Sequence, residues 1–179
     1  MSLNLAPKVT PKAIISEEAI RTRVAELAAE IQGDFPDGVH IVAVLKGAAI
    51  FVSDLIRRLQ GPITLDFMAV SSYATGTSSG EVRLLKDLDI SLSGRDVIVV
   101  EDVIDTGVTL TYLHQILRAR GPRSLRTACL LSKPSRRQIK VRVDYIGFSI
   151  EDQFVVGYGL DHAEQYRNLP YIAAVDLTS

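Results

Sequence analysis

Val97-Ile98-Val99-Val100-Glu101-Asp102-Val103-Ile104-Asp105-Thr106-Gly107-Val108-Thr109 is the stretch from which the rest of the chain takes its place. Four consecutive β-branched apolar residues, Val97 to Val100, can be buried on both faces only inside a covered sheet, so a strand of an open α/β sheet is expected here. Glu101 and Asp102 then emerge at its carboxyl edge, where such sheets bind ligands. Asp105 to Thr109 follow as the opening of a helix, whose unpaired N–H groups and positive dipole end receive anions. Thr106, Gly107 and Thr109 add hydroxyls and a point of close backbone approach. Two adjacent acids beside an anion cradle suit a ribose diol or a magnesium ion, so the string reads as a site for a phosphorylated sugar. Either half alone is also what a solvated strand end or a capped helix looks like. A third acid three residues on and a Thr-Gly-x-Thr turn go beyond what ending a strand requires.

Outward from this string the pattern alternates. Val39 to Leu45 is an apolar strand interrupted only by His40, and a helix follows with Ala49, Val52, Leu55, Ile56 and Leu59 as its inner face and Gly61-Pro62 as its stop. Before it, Ser16 caps a helix with Ile20, Val24, Leu27 and Ile31 on one face, ended by Gly33 and Pro36. Residues 1–15 read as a loosely ordered arm or short edge strand. Ile63 to Val70 and Val82 to Leu85 are strands separated by the polar loop 71–80, long enough to be functional or disordered. After the central string, a helix with Leu110, Leu113, Ile116 and Leu117 inward ends at Gly121-Pro122, and strands follow at Leu125 to Leu131 and Tyr145 to Ile150. The expectation is an α/β single domain over 1–179, with a central, mostly parallel sheet flanked by helices. Its core spans about 16–150, and a small hood is built from about 1–15 and 151–179, where short strands and loops break the alternation.

Composition narrows the function. The chain has 179 residues, 47% of them apolar, enough for one domain with a sizeable core. A formal net charge of −1 argues against non-specific binding to nucleic acid or to an anionic membrane, since both need a basic face. The basic cluster Arg118, Arg120, Arg123, Arg126, Lys133, Arg136 and Arg137 is balanced elsewhere. Cys129 lies in an apolar run and reads as a core thiol in a reducing compartment. No apolar stretch approaches bilayer length, and the start lacks a basic segment followed by an apolar one, so a cytoplasmic protein without membrane partners is expected. His40, His114 and His162 lack the spacing of a metal site or triad and read as structural.

Further polar residues fall on the same sheet edge. Lys46 and the Gly47 N–H stand where the first long strand feeds its helix, and there they would meet an anion; on spacing alone Lys46 is also an ordinary solvated lysine. Lys133, in Leu131-Ser132-Lys133-Pro134, sits just past another strand's carboxyl end, and its ammonium would donate to a carbonyl oxygen on a base. Phe154 with Val155, and Asp161 seven residues after Phe154, lie in the final segment, where core packing and a turn are the plain readings. Arg167 alone is an ordinary surface arginine.

The 97–109 string closely resembles the phosphoribosyl-diphosphate (PRPP) signature of the type I phosphoribosyltransferases. Leu45-Lys46-Gly47 resembles the diphosphate loop of the 6-oxopurine (hypoxanthine–guanine) members, in which a non-proline cis peptide precedes the lysine. The likeness runs through nearly the whole chain in order. It implies that Glu101 and Asp102 hold the ribose hydroxyls and metal, that Asp105, Thr106, Gly107, Val108 and Thr109 grip the 5′-phosphate, and that Asp105 takes or holds the N7 proton of the base. It further implies that Lys46, Gly47 and Arg167 bind diphosphate and that Ser72-Tyr73 belong to a mobile flap excluding water. On the base side, Lys133 would read the 6-oxo group, Phe154 would stack on the purine, Val155 would offer backbone hydrogen bonds, and Asp161 would sit at a second magnesium. The implied reaction moves a 5-phosphoribosyl group from magnesium-bound PRPP to N9 of hypoxanthine or guanine in purine salvage, with Mg2+ as cofactor. By the same resemblance a homo-oligomer, dimer or tetramer, is expected. Alternatives are a transferase for xanthine, adenine or a pyrimidine, or a non-catalytic sensor of PRPP or a nucleotide, which would need a basic surface for RNA.

Overall fold

The computed structural model describes residues 11–73 and 81–175. In chain order the elements are β1 (Lys12–Ile15), α1 (Glu17–Asp34), β2 (Val39–Leu45), α2 (Ala49–Ile56), β3 (Ile63–Tyr73), β4 (Glu81–Lys86), β5 (Asp96–Ile104), α3 (Val108–Arg118), β6 (Ser124–Ser132), β7 (Tyr145–Ser149), β8 (Val155–Val156) and β9 (Ile172–Ala174). Of the polar loop, the backbones of Ser72 and Tyr73 continue β3; 74–80 and the side chains of Ser72 and Tyr73 lie outside the described residues.

Six strands form one sheet in the order β4-β3-β2-β5-β6-β7. All neighbours are parallel except β3 and β4, which pair antiparallel at the edge, Ser71 opposite Arg83 and Tyr73 opposite Glu81. The two strands flanking the polar loop are longer than their apolar runs suggest. β1, β9 and β8 form a separate antiparallel sheet, which brings the arm before α1 against the final segment and supplies the expected hood.

Each face of the large sheet is covered. α1 and α2 pack on one face, where Ile20, Leu27, Ile31, Phe51 and Leu55 meet Ile41, Ala43, Ile98 and Val100. α3 covers the other, Leu113 and Leu117 meeting Val42, Val44, Val97 and Val99. Alternate residues of β2 and β5 thus enter different cores, which is why both strands read as apolar runs instead of alternating patterns. Burying one such side chain contributes roughly 1.5–3 kcal/mol, so these two layers dominate the fold's stability. Ser16 caps α1, its hydroxyl accepting from the Ala19 N–H at 3.2 Å. Within the layers His40 and His114 each meet a threonine hydroxyl at 2.7 Å, and burial pushes both imidazoles toward the neutral form. Burial also pushes the Cys129 thiol up to about 12, the mark of an inert core cysteine.

Beyond β3 and β4, three boundaries differ from the sequence reading by more than a residue. α2 stops at Ile56, because the Arg58 and Leu59 N–H groups bond three residues back and tighten the chain into a turn; Leu59 still packs on the core. β5 runs through Ile104, so Glu101 and Asp102 lie within the strand instead of at its end. α3 opens at Val108, with Gly107 as its N-cap at φ 87°, so Asp105 and Thr106 belong to the turn leading into the helix.

Candidate active site

The chain leaves β2 through α2 on one face of the sheet and leaves β5 through α3 on the other. The carboxyl ends of β2 and β5 therefore diverge, and a crevice at such a switch point is where an open α/β sheet binds its ligand. Pairing between these two strands ends at Ala43 opposite Val100, while β5 continues along β6 with Glu101 opposite Cys129. A cavity of about 420 Å³ opens at this point. Leu45 to Gly47 form one wall, Glu101 to Gly107 with Thr109 form the floor and opposite wall, and Asp161 and Arg167 close it from the segment between β8 and β9.

The turn after β2 is tightly built. The Leu45–Lys46 peptide is cis. Gly47 is wedged between two neighbours: a β-carbon on it would fall inside the Asp102 carboxylate, and one on Gly159 would collide with the Gly47 carbonyl. Asp102 is held from its own strand, Oδ1 accepting from the Val103 N–H at 2.7 Å. In the turn before α3, the Val108 N–H lies 3.4 Å from Thr106 Oγ1, a long and weak contact that leaves this donor available to an anion.

The charges are not balanced pair by pair. Glu101 is only 6% exposed. Burial, and then the Asp102 charge beside it, push its carboxyl well above the usual range. Asp102 is also raised, chiefly by burial, against the lowering effect of its backbone N–H contacts and of Arg167. On the opposite wall Arg167 donates through Nη1 to the Gly159 carbonyl at 2.8 Å and through Nη2 to Asp161 Oδ1 at 2.8 Å, while its buried Nε has no partner among the described residues. Glu164 touches cations from two sides of the cavity, with Oε2 3.0 Å from Lys46 Nζ and 3.3 Å from Arg167 Nη2.

The buried Glu101 makes a stability prediction with a definite sign. In the unfolded chain it ionises near pH ~4.3. In the fold it resists ionisation, so the folded state loses stability as pH rises from that value through its raised pKa. Glu101→Gln removes this slope. The variant should melt above the wild type at neutral pH and level with it at acid pH, by thermal denaturation; equal melting at neutral pH would sink the assignment.

Of the residues assigned to a base, Asp105 and Asp161 line the cavity, whereas Lys133, Phe154 and Val155 lie beside it. Lys133 is only 8% exposed; its N–H bonds the Ile104 carbonyl at 3.0 Å and its Nζ bonds the Gln153 carbonyl at 2.8 Å. Val155 is buried in β8, whereas Phe154 is 39% exposed and stands edge-on to the His162 ring, centroids 5.4 Å apart. Sequence reasoning did not anticipate that His162 would be against Phe154, that Glu164 would bridge Lys46 and Arg167, or that Arg136 and Arg137 would both grip Asp105. The turn 157–159 and 163–166, with positive φ at Tyr158, Ala163, Glu164 and Tyr166, creates the first two contacts and carries no short-range signal beyond its glycines.

Fold and site together define a phosphoribosyltransferase, and the family model described as a phosphoribosyl transferase domain matches residues 12–163. The hypoxanthine-guanine phosphoribosyltransferase of Bacillus subtilis is 49% identical over 166 residues, 92% of each chain. The hypoxanthine phosphoribosyltransferase of Salmonella typhimurium is 46% identical over 174 residues, 95% of this chain and 98% of that one. Among solved structures, a hypoxanthine-guanine phosphoribosyltransferase from Bacillus anthracis superposes with a TM-score of 0.90 at 45% identity, covering 94% of this chain and all of that one. The chain belongs to the hypoxanthine-guanine phosphoribosyltransferase family.

Proposed function

We propose that the protein transfers the 5-phosphoribosyl group of magnesium-bound PRPP to N9 of hypoxanthine or guanine, yielding the 5′-nucleotide and diphosphate. The observation that carries this reading is the cavity at the switch point, whose walls combine the carboxylate pair of buried Glu101 and half-buried Asp102, a hydroxyl-bearing turn at a helix start, and Lys46 with Arg167. The diol of a pentose, an anionic ester at one end of it and a diphosphate at the other match those three parts in that order.

In the reaction the C1–O bond breaks with its electron pair going to diphosphate, N9 forms the new bond to C1, and the N7 proton passes to Asp105. Asp105 to Thr109 grip the 5′-phosphate and fix the sugar in place. Glu101 and Asp102 hold the ribose hydroxyls, and Lys46, the Gly47 N–H and Arg167 receive the departing charge. Among the described residues no three His, Cys, Asp or Glu side chains converge as a metal cage. Magnesium keeps waters and takes substrate phosphate oxygens beside one or two carboxylates, a donor set that the adjacent Glu101 and Asp102 supply. Glu101 and Asp102 would hold one ion and Asp161 a second, and when bound the metal would neutralise charge on the leaving group. Closure by the Ser72-Tyr73 flap keeps water from the activated sugar. The functional unit is a single domain, with a core of about 16–150 and the hood supplying Asp161 and Arg167.

Among the described residues no helix is long and apolar enough to cross a membrane. The protein acts in the cytoplasm as a homo-oligomer, its apolar Ile50 on α2 being 43% exposed next to the Lys46 turn; light scattering after gel filtration checks the assembly. The deciding assay is turnover on a panel of hypoxanthine, guanine, xanthine, adenine, orotate and uracil with magnesium-PRPP. Nucleotide formed from hypoxanthine or guanine supports the reading, and turnover confined to adenine or a pyrimidine overturns it. Lys133→Gln should relax the rejection of adenine, because an ammonium offers donors only whereas an amide also accepts from a 6-amino group. The gain is expected to be on the order of tenfold in the adenine-to-hypoxanthine ratio of kcat/KM; an unaltered ratio counts against the contact.

A further inference from the structure

We propose that Arg136 is a positioning residue for the transfer, holding the Asp105 carboxylate by one oxygen and tying it to the segment that faces the base. The inference rests on the 6-oxopurine reading above. After β6 the chain turns through a short 3-10 helix, Pro134–Arg136, and folds back on the turn that precedes α3. The Gln138 and Ile139 N–H groups bond the Thr106 carbonyl at 3.0 and 3.1 Å, and Arg137 Nη1 bonds the Asp105 carbonyl at 2.7 Å while its Nη2 reaches Ser132 Oγ at 2.9 Å. Those contacts fix the backbone of the turn. Arg136 alone among them addresses the Asp105 side chain, its Nε donating to Oδ1 at 3.0 Å. Oδ2 has no partner among the described residues and is left for a substrate N–H.

The same guanidinium extends toward Asp152, Nη1 lying 3.5 Å from Oδ2. Three residues earlier, Lys133 grips the Gln153 carbonyl. Lys133 and Arg136 thus hold neighbouring groups of the segment that leads into Phe154, while Arg136 also holds Asp105. The proton acceptor, the cation assigned to the 6-oxo group and the stacking ring are thereby set in one frame.

Exposure separates a positioning role from a structural one. Side-chain exposures of 47% for Arg136 and 37% for Asp105 place their ion pair in contact with solvent, where such pairs contribute little to stability. Losing it should leave the fold intact and misplace the carboxylate.

The test uses the full-length protein with Arg136→Ala and Arg136→Lys, and Arg136→Ala in an Asp105→Asn background, with kcat, KM for PRPP and for hypoxanthine, and melting temperature measured for each. Arg136→Ala is expected to lower kcat about tenfold or more with KM for PRPP and melting temperature little changed. Lysine at 136 should restore part of the loss, since it keeps the charge without the fork. In the Asp105→Asn background, adding Arg136→Ala should change kcat by less than about twofold, because residues acting through one group are not additive. Wild-type kcat in Arg136→Ala overturns the inference, as does a full additional loss in the Asp105→Asn background or a defect confined to KM for PRPP. Absence of 6-oxopurine turnover in the wild type overturns the proposed function itself, and this inference with it.

Discussion

Asp105→Asn is expected to lower kcat by about 10²- to 10⁴-fold, the range for loss of a positioned proton acceptor, with KM for PRPP changed only a few-fold. The separation of the two constants follows from the geometry. Asparagine keeps the shape of the side chain and an oxygen for Arg136, and the backbone contacts that hold the turn, Arg137 on the Asp105 carbonyl and Gln138 and Ile139 on the Thr106 carbonyl, do not involve the carboxylate. The phosphate cradle should therefore persist. What disappears is the capacity to accept the N7 proton as the N9–C1 bond forms. Pre-steady-state kinetics with hypoxanthine and magnesium-PRPP would locate the loss in the chemical step; an undiminished kcat would refute the role.

The parts of this protein that were legible in the sequence are those set by local pattern. β2 carries seven consecutive residues of which six are apolar, and its observed limits, Val39–Leu45, are those of the run itself. The signature string announces its chemistry because acids, glycine and threonines are contiguous along one strand and one turn. Boundaries failed where tertiary pairing overrides composition. β5 continues past its apolar run because β6 lies alongside as far as Ile104 opposite Ser132, giving the backbone of Glu101 and Asp102 a partner strand. β3 and β4 lengthen because they pair with each other. Contacts between distant segments were not legible: Lys46 and Glu164 are 118 residues apart, and Arg136 and Asp105 are 31 apart. Charged residues are common on surfaces, so nothing in their spacing distinguishes Arg136 from the other arginines of its basic cluster until the loop folds back on the turn.

Gly47→Ala should lower kcat/KM for PRPP by about 10²-fold or more, although it adds a single methyl group. The position has no room to yield. On one side the new carbon would overlap the carboxylate of Asp102, whose Oδ1 is tethered at 2.7 Å to the Val103 N–H within β5. On the other side the Gly47 carbonyl already lies so close to Gly159 that a β-carbon there would strike it, so the turn has no space into which to retreat. The methyl group must therefore displace either the acid assigned to the ribose or the turn assigned to diphosphate, and each change separates two walls of the same cavity. A matched control is Gly33→Ala near the end of α1, where a β-carbon would meet nothing within 4 Å. Alanine there should be neutral or stabilising by up to about 1 kcal/mol, as expected for a helix interior. Titration calorimetry with magnesium-PRPP on both variants, alongside their melting curves, separates a blocked site from a weakened fold. Wild-type affinity in Gly47→Ala would mean that Asp102 and the Lys46 turn do not hold the ligand between them.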